Sequence, residues 1–257
     1  MSAALALALS LGAAIGLMLG MLGGGGAVLA VPVLVSVLGE DVHAATTGSL
    51  VVVGSAALVG GVRQASSHYV CWRAAGILAV AALPGATVGT LANVHASGRL
   101  LVVLLAVLIL GVAFLTWRRS TSEGARGTRA EAVPVCPPVP LTRLIGAGLL
   151  LGTLTGFFGV GGGFVIVPML TVVFHVPIRL AIGTSLIAVF LVSVAGFVNH
   201  LAQGAHVDWS LVVPFAAATV TGALAGASLS PRIPHFALGR MFAVLLTGVA
   251  ILMLAGG

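Results

Sequence analysis

Residues 159–170 of this chain have the sequence GVGGGFVIVPML, and residues 23–34 have the related sequence GGGGAVLAVPVL. In both, a glycine cluster precedes a short apolar run that contains a proline. The runs Ala27–Leu38 and Phe164–Phe174 hold 12 and 11 residues, whereas a helix needs about 20 apolar residues to cross a bilayer. Each run is therefore predicted to pair with the longer apolar run before it, as a hairpin whose glycine-rich tip lies inside a membrane.

The composition supports a membrane environment for these hairpins. The chain has 257 residues, of which 60% are hydrophobic, and only 11 are basic and 5 acidic. A soluble domain has about one quarter charged residues, so this inventory excludes a soluble enzyme or a nucleic-acid-binding protein. The net charge of +6 comes from arginines alone, and we interpret it as a signal of orientation rather than of an acidic partner.

Six further apolar runs are long enough to cross a bilayer. They are Ala44–Val62, Ala74–Ala92, Leu100–Trp117, Leu180–Val198, Leu211–Leu229 and Ala237–Ala255. Residues 118–141 are rich in Pro, Ser and Arg and are predicted to be a flexible linker between the membrane halves 1–117 and 142–257. No basic residue precedes Arg63, so the first run, Ala3–Leu22, lacks the basic region of a signal peptide and is expected to stay in the mature protein.

The two halves are related by a shift of 136 residues. The shift superimposes glycines, Pro32 on Pro168, and Ser49-Leu50 on Ser185-Leu186. These matches predict an all-α polytopic membrane protein made of two repeats, each a glycine-rich broken or re-entrant hairpin followed by three transmembrane helices. The coincident glycines in the arms before the tips are Gly12, Gly16 and Gly20 in the first repeat and Gly148, Gly152 and Gly156 in the second.

The arginines predict the orientation of the chain. If the linker is cytoplasmic and each hairpin enters and leaves on one side, only Arg99 among the eleven arginines falls outside the cell, which agrees with the positive-inside rule. If each glycine-rich segment were a single crossing, Arg179, Arg232 and Arg240 would move outside. The hairpin interpretation gives each half an odd number of spans and hence inverted topology, as in many secondary transporters. It places the protein in the cell membrane as a multi-pass protein.

The glycine tips are the predicted substrate site. Broken backbone inside a membrane is tolerated where it is covered by protein or lines a polar cavity, and helix N-termini that follow a break favour anions. Hydroxyl groups follow both hairpins, and no Asp, Glu or Arg lies deep in a span, which favours an anion over a cation. The alternatives are that the glycines only allow close packing and that the hydroxyls satisfy helix carbonyls. The predicted site residues are Gly23, Gly24, Gly25, Gly26, Thr47, Ser49, Gly159, Gly161, Gly162, Gly163, Thr184 and Ser185.

Arg63, Asn199 and His200 form a second predicted group, since they end equivalent helices of the two halves. They are candidates for gating or coupling, and His200 is the candidate for proton coupling because an ordinary histidine side chain changes charge near physiological pH; the alternative for Arg63 is an interfacial anchor. Neither a cofactor nor a metal site is expected. Cys71 and Cys136 are predicted to form no disulfide framework and no zinc motif. The other histidines show no ligand spacing: His43, His68, His95, His175, His206 and His235.

The two glycine-rich motifs, GTSL at Gly183–Leu186 and the glycine pairs Gly85/Gly89 and Gly222/Gly226 together resemble the TauE/SafE family of sulfite exporter-like permeases. The resemblance covers the chain except the linker. It implies a non-enzymatic membrane transporter of small sulfur-containing anions, such as sulfite, sulfoacetate or related organosulfonates, generally in the export direction. A coupling proton or sodium ion and a homodimer are left open.

The first motif departs from the second, because Ala27 replaces the last glycine and Thr47-Gly48-Ser49 replaces Gly183-Thr184-Ser185. The two half-sites are therefore expected to be unequal. We expect the substrate to lie between the tips, with alternating access from movement of one half against the other. An anion channel is the alternative within transport, and a membrane scaffold that transports nothing is the alternative from another class.

Overall fold

The structure is a computed structural model that describes residues 3–24, 42–93, 98–125, 138–158, 163–202, 207–233 and 235–256, together with residues 27, 30, 34 and 136. This part of the chain is entirely helical apart from short turns and connections, as the all-α prediction requires. The helices are α1 (Ala3–Leu22), α2 (Val42–Ser66), α3 (Trp72–Asn93), α4 (Gly98–Ala125), α5 (Leu141–Phe158), α6 (Gly163–Pro168), α7 (Ile178–Ala202), α8 (Trp209–Leu229) and α9 (His235–Gly256).

The predicted run Ala27–Leu38 lies almost entirely outside the described residues, and the other predicted runs agree closely with the helices. Within the described residues, four helices are long and apolar enough to cross a membrane, namely α2, α3, α7 and α8, while α4 and α9 carry shorter apolar segments. Large apolar side chains such as Val80, Val107 and Val244 are more than half exposed, as expected where lipid takes the place of water. Helix α4 continues to Ala125, so the first residues of the predicted flexible linker are helical; residues 126–135 lie outside the described part.

Both hairpin arms pack along a helix of the opposite half, and glycines make this possible. A Cβ on Gly152 would strike the carbonyl oxygen of Ala82, and a Cβ on Gly156 would strike that of Ala86. Because both numbers increase together, α5 runs parallel to α3. Contacts of Gly16 with Thr219 and of Gly20 with Ala223 pair α1 with α8 in the same way. The arm glycines thus allow close packing of α5 against α3 and of α1 against α8.

Helices α2 and α7, which are equivalent in the repeat, run antiparallel. A hydrogen bond of 3.1 Å joins Thr47 Oγ1 to His200 Nδ1. Further along, a Cβ on Gly54 would lie 3.1 Å from Ser193 Cβ, and one on Gly61 would lie 2.7 Å from Ile187 Cδ1. The residue number rises along one helix as it falls along the other, so equivalent segments of the two halves point in opposite directions.

Arginines gather at one end of this bundle. The end of α2 meets the start of α7, where the Arg179 guanidinium lies 5.9 Å from the ring centre of Tyr69. The end of α1 meets the end of α8, since Ser230 Oγ donates to the Met21 carbonyl. Helix α9 follows directly, and its Arg240 lies over the Trp117 ring of α4. The arginines whose side chains are described therefore share this arginine-rich end: Arg63, Arg73, Arg118, Arg143, Arg179, Arg232 and Arg240.

The two cysteines form a disulfide, so the prediction that they would not was wrong. Cys71 precedes α3 and Cys136 precedes α5, with a Cα–Cα distance of 5.9 Å across 65 residues of sequence. The parallel packing of α3 and α5 brings the starts of both helices together and with them the two thiols. The spacing of the two cysteines in the sequence does not indicate that they lie close together, so the sequence did not predict the disulfide.

Candidate functional site at the hairpin ends

The first hairpin arm ends at Gly23, which has a φ of +74°. This left-handed conformation directly after a helix is the usual position of a glycine cap, and here the space also requires glycine. A Cβ would lie 2.5 Å from Ser185 Oγ and 2.8 Å from Val167 Cγ2. Gly23 thus brings the end of α1 against the start of α7 and against α6 of the other half.

The ends of the two hairpins touch. A Cβ built on Gly163 would lie 2.9 Å from Gly24 Cα and 2.7 Å from Val189 Cγ2, and one built on Gly24 would overlap the Gly163 backbone. Glycine at both positions lets main chain meet main chain, as predicted for the tips. The other predicted tip residues, Gly25, Gly26, Gly159, Gly161 and Gly162, lie outside the described residues.

Thr184 and Ser185 lie fully buried beside this contact. Ser185 Oγ donates to the Ile182 carbonyl at 2.8 Å, the internal helix bond that the sequence left open as an alternative. Thr184 Oγ1 instead accepts from the Cys71 backbone N–H at 3.0 Å. Accepting a bond leaves a hydroxyl its own proton to donate, so Thr184 retains the chemistry needed to hold an anion.

Thr47 and Ser49 are buried but lie toward the opposite end of the bundle. Thr47 contacts His200, and the distance along α7 from Thr184 to His200 is about 24 Å at 1.5 Å per residue. The structure therefore separates the two hydroxyl groups that the sequence assigned to one site. Asn199 is exposed near Thr47, and the exposed Arg63 lies at the arginine-rich end, so the predicted gating residues are also divided between the ends.

Gln64 is a buried residue that the sequence did not single out as a site residue. Only 3% of it is exposed, and its side-chain Nε2 has no hydrogen-bond partner among the described residues. Its backbone carbonyl accepts from the Tyr69 N–H at 3.0 Å, and Tyr69 in turn lies against Gly183. The available signal was the repeat, because Gln64 is the equivalent of His200 in the first half.

Pro168 changes the helix that follows the second tip. It lacks an N–H and crowds the preceding turn, and the chain widens after it into a π-helix over Met169–Val173, a feature frequent at functional sites. Thr171 Oγ1 bonds back to the Val167 and Pro168 carbonyls, at 3.0 and 3.2 Å. The sequence predicted a short helix with a proline here, but not its change of pitch.

A cavity of about 310 Å³ opens near Thr184 at the arginine-rich end. Trp72, Arg73 and Cys136 line it and are exposed, whereas Thr184 and Leu170 line it and are buried. The cavity therefore leads from the surface toward the hydroxyl beside the hairpin ends. Within the described residues, no three side chains of His, Cys, Asp or Glu lie close enough to hold a metal ion.

The acid with a described environment, Asp208, lies outside this site. It is exposed, caps the start of α8 and accepts from the Ser210 hydroxyl and backbone N–H at 2.6 and 2.9 Å. These hydrogen bonds, with the hydroxyl contributing most, lower the pKa of Asp208. The cavity beside Thr184 is instead lined mainly by apolar side chains, with the exposed Arg73 as its charged residue.

Comparison with known proteins yields relatives over nearly the whole chain. A family model described as sulfite exporter TauE/SafE matches residues 8–253. A probable membrane transporter protein of Xylella fastidiosa is 32% identical over 245 residues, which cover 93% of this chain and 91% of that protein. The probable membrane transporter protein YunE of Bacillus subtilis is 38% identical over 35% of this chain and 31% of its own length. No solved structure matches significantly.

Proposed function

Because this chain belongs to the TauE/SafE sulfite exporter family of membrane transporters, we propose that it exports small sulfur-containing anions, such as sulfite, sulfoacetate or a related organosulfonate. The observation that carries the proposal is the contact of the two hairpin ends, Gly24 against Gly163, beside the buried hydroxyls of α7. Backbone and hydroxyl donors of this kind hold an oxyanion without a buried cation, and glycine permits a close approach to the main chain.

We propose that the anion is held by the tip glycines with Thr184 and Ser185, and that Thr47 and Ser49 contact it later along its route. The proton of the Thr184 hydroxyl supports the first part, since the hydroxyl accepts from Cys71 and keeps a proton to give. The roughly 24 Å between Thr184 and His200 along α7 supports the second, because one small anion does not bridge that distance. The Thr47–His200 pair is the corresponding candidate for coupling to a proton.

Alternating access by inverted repeats fits the helix directions. The equivalent helices α2 and α7 contact one another and run antiparallel, as repeats of opposite topology do. Each arm lies on a helix of the other half, so movement of one half would carry its neighbour's hairpin with it. We place the halves at residues 1–117 and 142–257 for this mechanism, with substrate exposed alternately to the two sides.

The arginine-rich end is proposed to face the cytoplasm. Seven described arginines from six helices and one adjoining turn share this end, and cytoplasmic loops are enriched in Arg and Lys. The described ends of the linker at residues 118–141 lie there too, since α4 ends and α5 begins at this end. This orientation makes the cavity beside Thr184 the cytoplasmic entrance for an exported anion in the cell membrane.

The test is uptake of radiolabelled sulfite, thiosulfate and sulfoacetate into proteoliposomes that contain the purified protein. Ser185→Ala is expected to lower the rate, whereas Ser193→Ala, a buried serine two turns further along the same helix, is the matched control. Gly24→Ala is expected to abolish uptake because its Cβ overlaps the Gly163 backbone. If Ser185→Ala keeps the wild-type unfolding temperature, its lower uptake rate reflects a loss of transport and not a loss of folding.

The outcome separates the alternatives. Saturable flux that responds to a proton or sodium gradient supports a secondary transporter. Single-channel currents carried by these anions would instead show that the protein is an anion channel. No flux of any probe, together with no ligand-dependent rise in unfolding temperature, contradicts transport of sulfur anions. In that case equal losses of folding on changing arm and tip glycines would favour a scaffold.

A further inference from the structure

The disulfide holds a short strap of chain along one wall of the cavity beside Thr184. We define the strap as Cys136, Pro138 and Val139, which line the cavity and precede α5. Cys71 holds the strap from the other side, at the start of α3. The bond therefore closes one side of the cavity with a covalent link that joins two helices of the two halves.

The same cysteine also contacts the site. The Cys71 N–H donates to Thr184 Oγ1 at 3.0 Å, and its side chain is 7% exposed, whereas Cys136 is exposed. One cysteine of the disulfide is thus hydrogen-bonded directly to the hydroxyl that is proposed to meet the anion. An exposed cysteine bonded to a buried one leaves Cys136 as the partner that a nucleophile from solution can approach.

The location of the bond decides how we interpret it. In the proposed orientation the arginine-rich end faces the cytoplasm, where glutathione and thioredoxin keep thiols reduced and where the disulfides that do form are usually transient and redox-sensing. A bond that only stabilised the fold would be expected on the oxidising side of the membrane. Arg73 lines the same cavity as both cysteines, and a positive charge near a cysteine stabilises its thiolate.

We propose that Cys71–Cys136 is a thiol-exchange site, a redox latch that holds the strap across the cytoplasmic entrance and is opened by small cytoplasmic thiols. The inference rests on the proposed function for what the opening admits. A thiolate attacks the Cys136 sulfur, a mixed disulfide forms, and the Cys71 sulfur leaves as a thiolate that takes a proton from water. A second thiol attacks the mixed disulfide, so two thiols are oxidised to one disulfide while the protein gains two thiols.

The first test is independent of transport. Hydrogen exchange in segment 138–144 is measured by mass spectrometry in the purified protein, oxidised with diamide or reduced with dithiothreitol. The exchanging amides are those of Val139 and Leu141–Leu144, because Pro138 and Pro140 carry no N–H. Because a tether raises the effective concentration of the strap at the cavity, reduction is expected to speed exchange about tenfold or more. The variant with both Cys71→Ser and Cys136→Ser is expected to match the reduced protein under both conditions.

The second test measures sulfoacetate uptake in proteoliposomes under the same conditions. Sulfoacetate is the probe because its sulfonate sulfur has no lone pair with which to attack the disulfide, unlike sulfite. Uptake is expected to be about tenfold slower in the oxidised protein and insensitive to diamide in the double variant. The single variant Cys136→Ser keeps the buried thiol and serves if the double variant is poorly folded.

Two results would overturn the latch. One is equal hydrogen exchange at residues 138–144 in the oxidised and reduced protein, whatever the transport assay gives. The other is labelling of reduced Cys136 by an impermeant maleimide only from the outer face of spheroplasts, which would make the bond an ordinary disulfide of an oxidising compartment. A change in exchange without any sulfoacetate uptake supports the latch and contradicts only the proposed substrate.

Discussion

Replacing Gly152 with alanine tests the close packing of the second hairpin arm against α3. The added Cβ would strike the Ala82 carbonyl oxygen and lie 2.7 Å from its carbon and 2.8 Å from its Cα. These atoms are main chain of a neighbouring helix, so no side-chain rotation relieves the overlap. The two helices must move apart, and the contacts of Gly148 and Gly156 in the same interface loosen with them.

The expected loss of stability follows from two opposing effects. Inserting a methyl group into a packed interface costs about 1–3 kcal/mol, and we expect the upper end because backbone blocks the new atom. Alanine gains about 1 kcal/mol over glycine in a helix interior, which leaves a net loss of about 2 kcal/mol. Gly146 lies on the same helix with nothing within 4 Å of an added Cβ, so Gly146→Ala keeps the gain of about 1 kcal/mol without the overlap.

Equilibrium unfolding by titration with sodium dodecyl sulfate in mixed micelles measures both free energies, with fluorescence of Trp72, Trp117 and Trp209 as the signal. The free energies of unfolding of the two variants should differ from each other by about 3 kcal/mol, with Gly152→Ala less stable and Gly146→Ala more stable than wild type. A Gly152→Ala protein as stable as Gly146→Ala would refute the reasoning. It would mean that the two helices do not approach as closely as the glycines allow.

Three further predictions concern the ends of helices and the site. His68 has a φ of 61° directly after α2, and the His68 and Tyr69 N–H groups donate to the backbone carbonyls of Ala65 and Gln64. His68→Gly should therefore raise the free energy of unfolding by about 1 kcal/mol in the same titration. A loss of stability would contradict backbone strain at His68. The pKa of Asp208 is lowered, so its cap stabilises α8 above the unfolded-state pKa, and this contribution is lost as pH falls through the folded-state pKa. Asp208→Asn should keep the cap and abolish this acid-side loss of stability in thermal unfolding between pH 5 and 3. An unchanged pH profile would contradict the assignment. Gln64→Leu should leave the unfolding temperature at or above wild type, because it removes a buried amide nitrogen without a described partner. It should lower anion uptake if that nitrogen meets the substrate; normal uptake would assign Gln64 to structure alone.

The helices and their order were largely predictable, because the bilayer requires a property that is local in sequence. Runs such as Leu180–Val198 and Leu211–Leu229 fall within α7 and α8. The extension of α4 to Ala125 was not predicted, because polar residues such as Ser120 and Thr121 continue a helix outside the hydrocarbon region as readily as they form a linker. The π-helix after Pro168 likewise depends on how one turn accommodates a missing N–H.

The site was predictable in its residue types and only partly in its arrangement. Gly23, Gly24 and Gly163 meet where the hairpin ends were expected to meet. Thr47 and Thr184 were expected to act together, but they belong to equivalent segments of antiparallel helices, which lie at opposite ends. The repeat alone does not state whether α2 and α7 touch. Gln64 was passed over because its burial and its amide geometry are properties of the packed bundle.

By itself, the sequence determined that this is a membrane protein, and it predicted two related halves with glycines at the hairpin ends, since hydropathy, repetition and the absence of side chains are readable along the chain. The tertiary structure alone decided which helices those glycines bring together, that the hydroxyl groups separate, and that Cys71 pairs with Cys136 across 65 residues. The physical reason is that many pairings of apolar helices satisfy the bilayer equally well. The choice among them depends on the fit of whole surfaces, such as Gly152 against Ala82, that no single segment encodes.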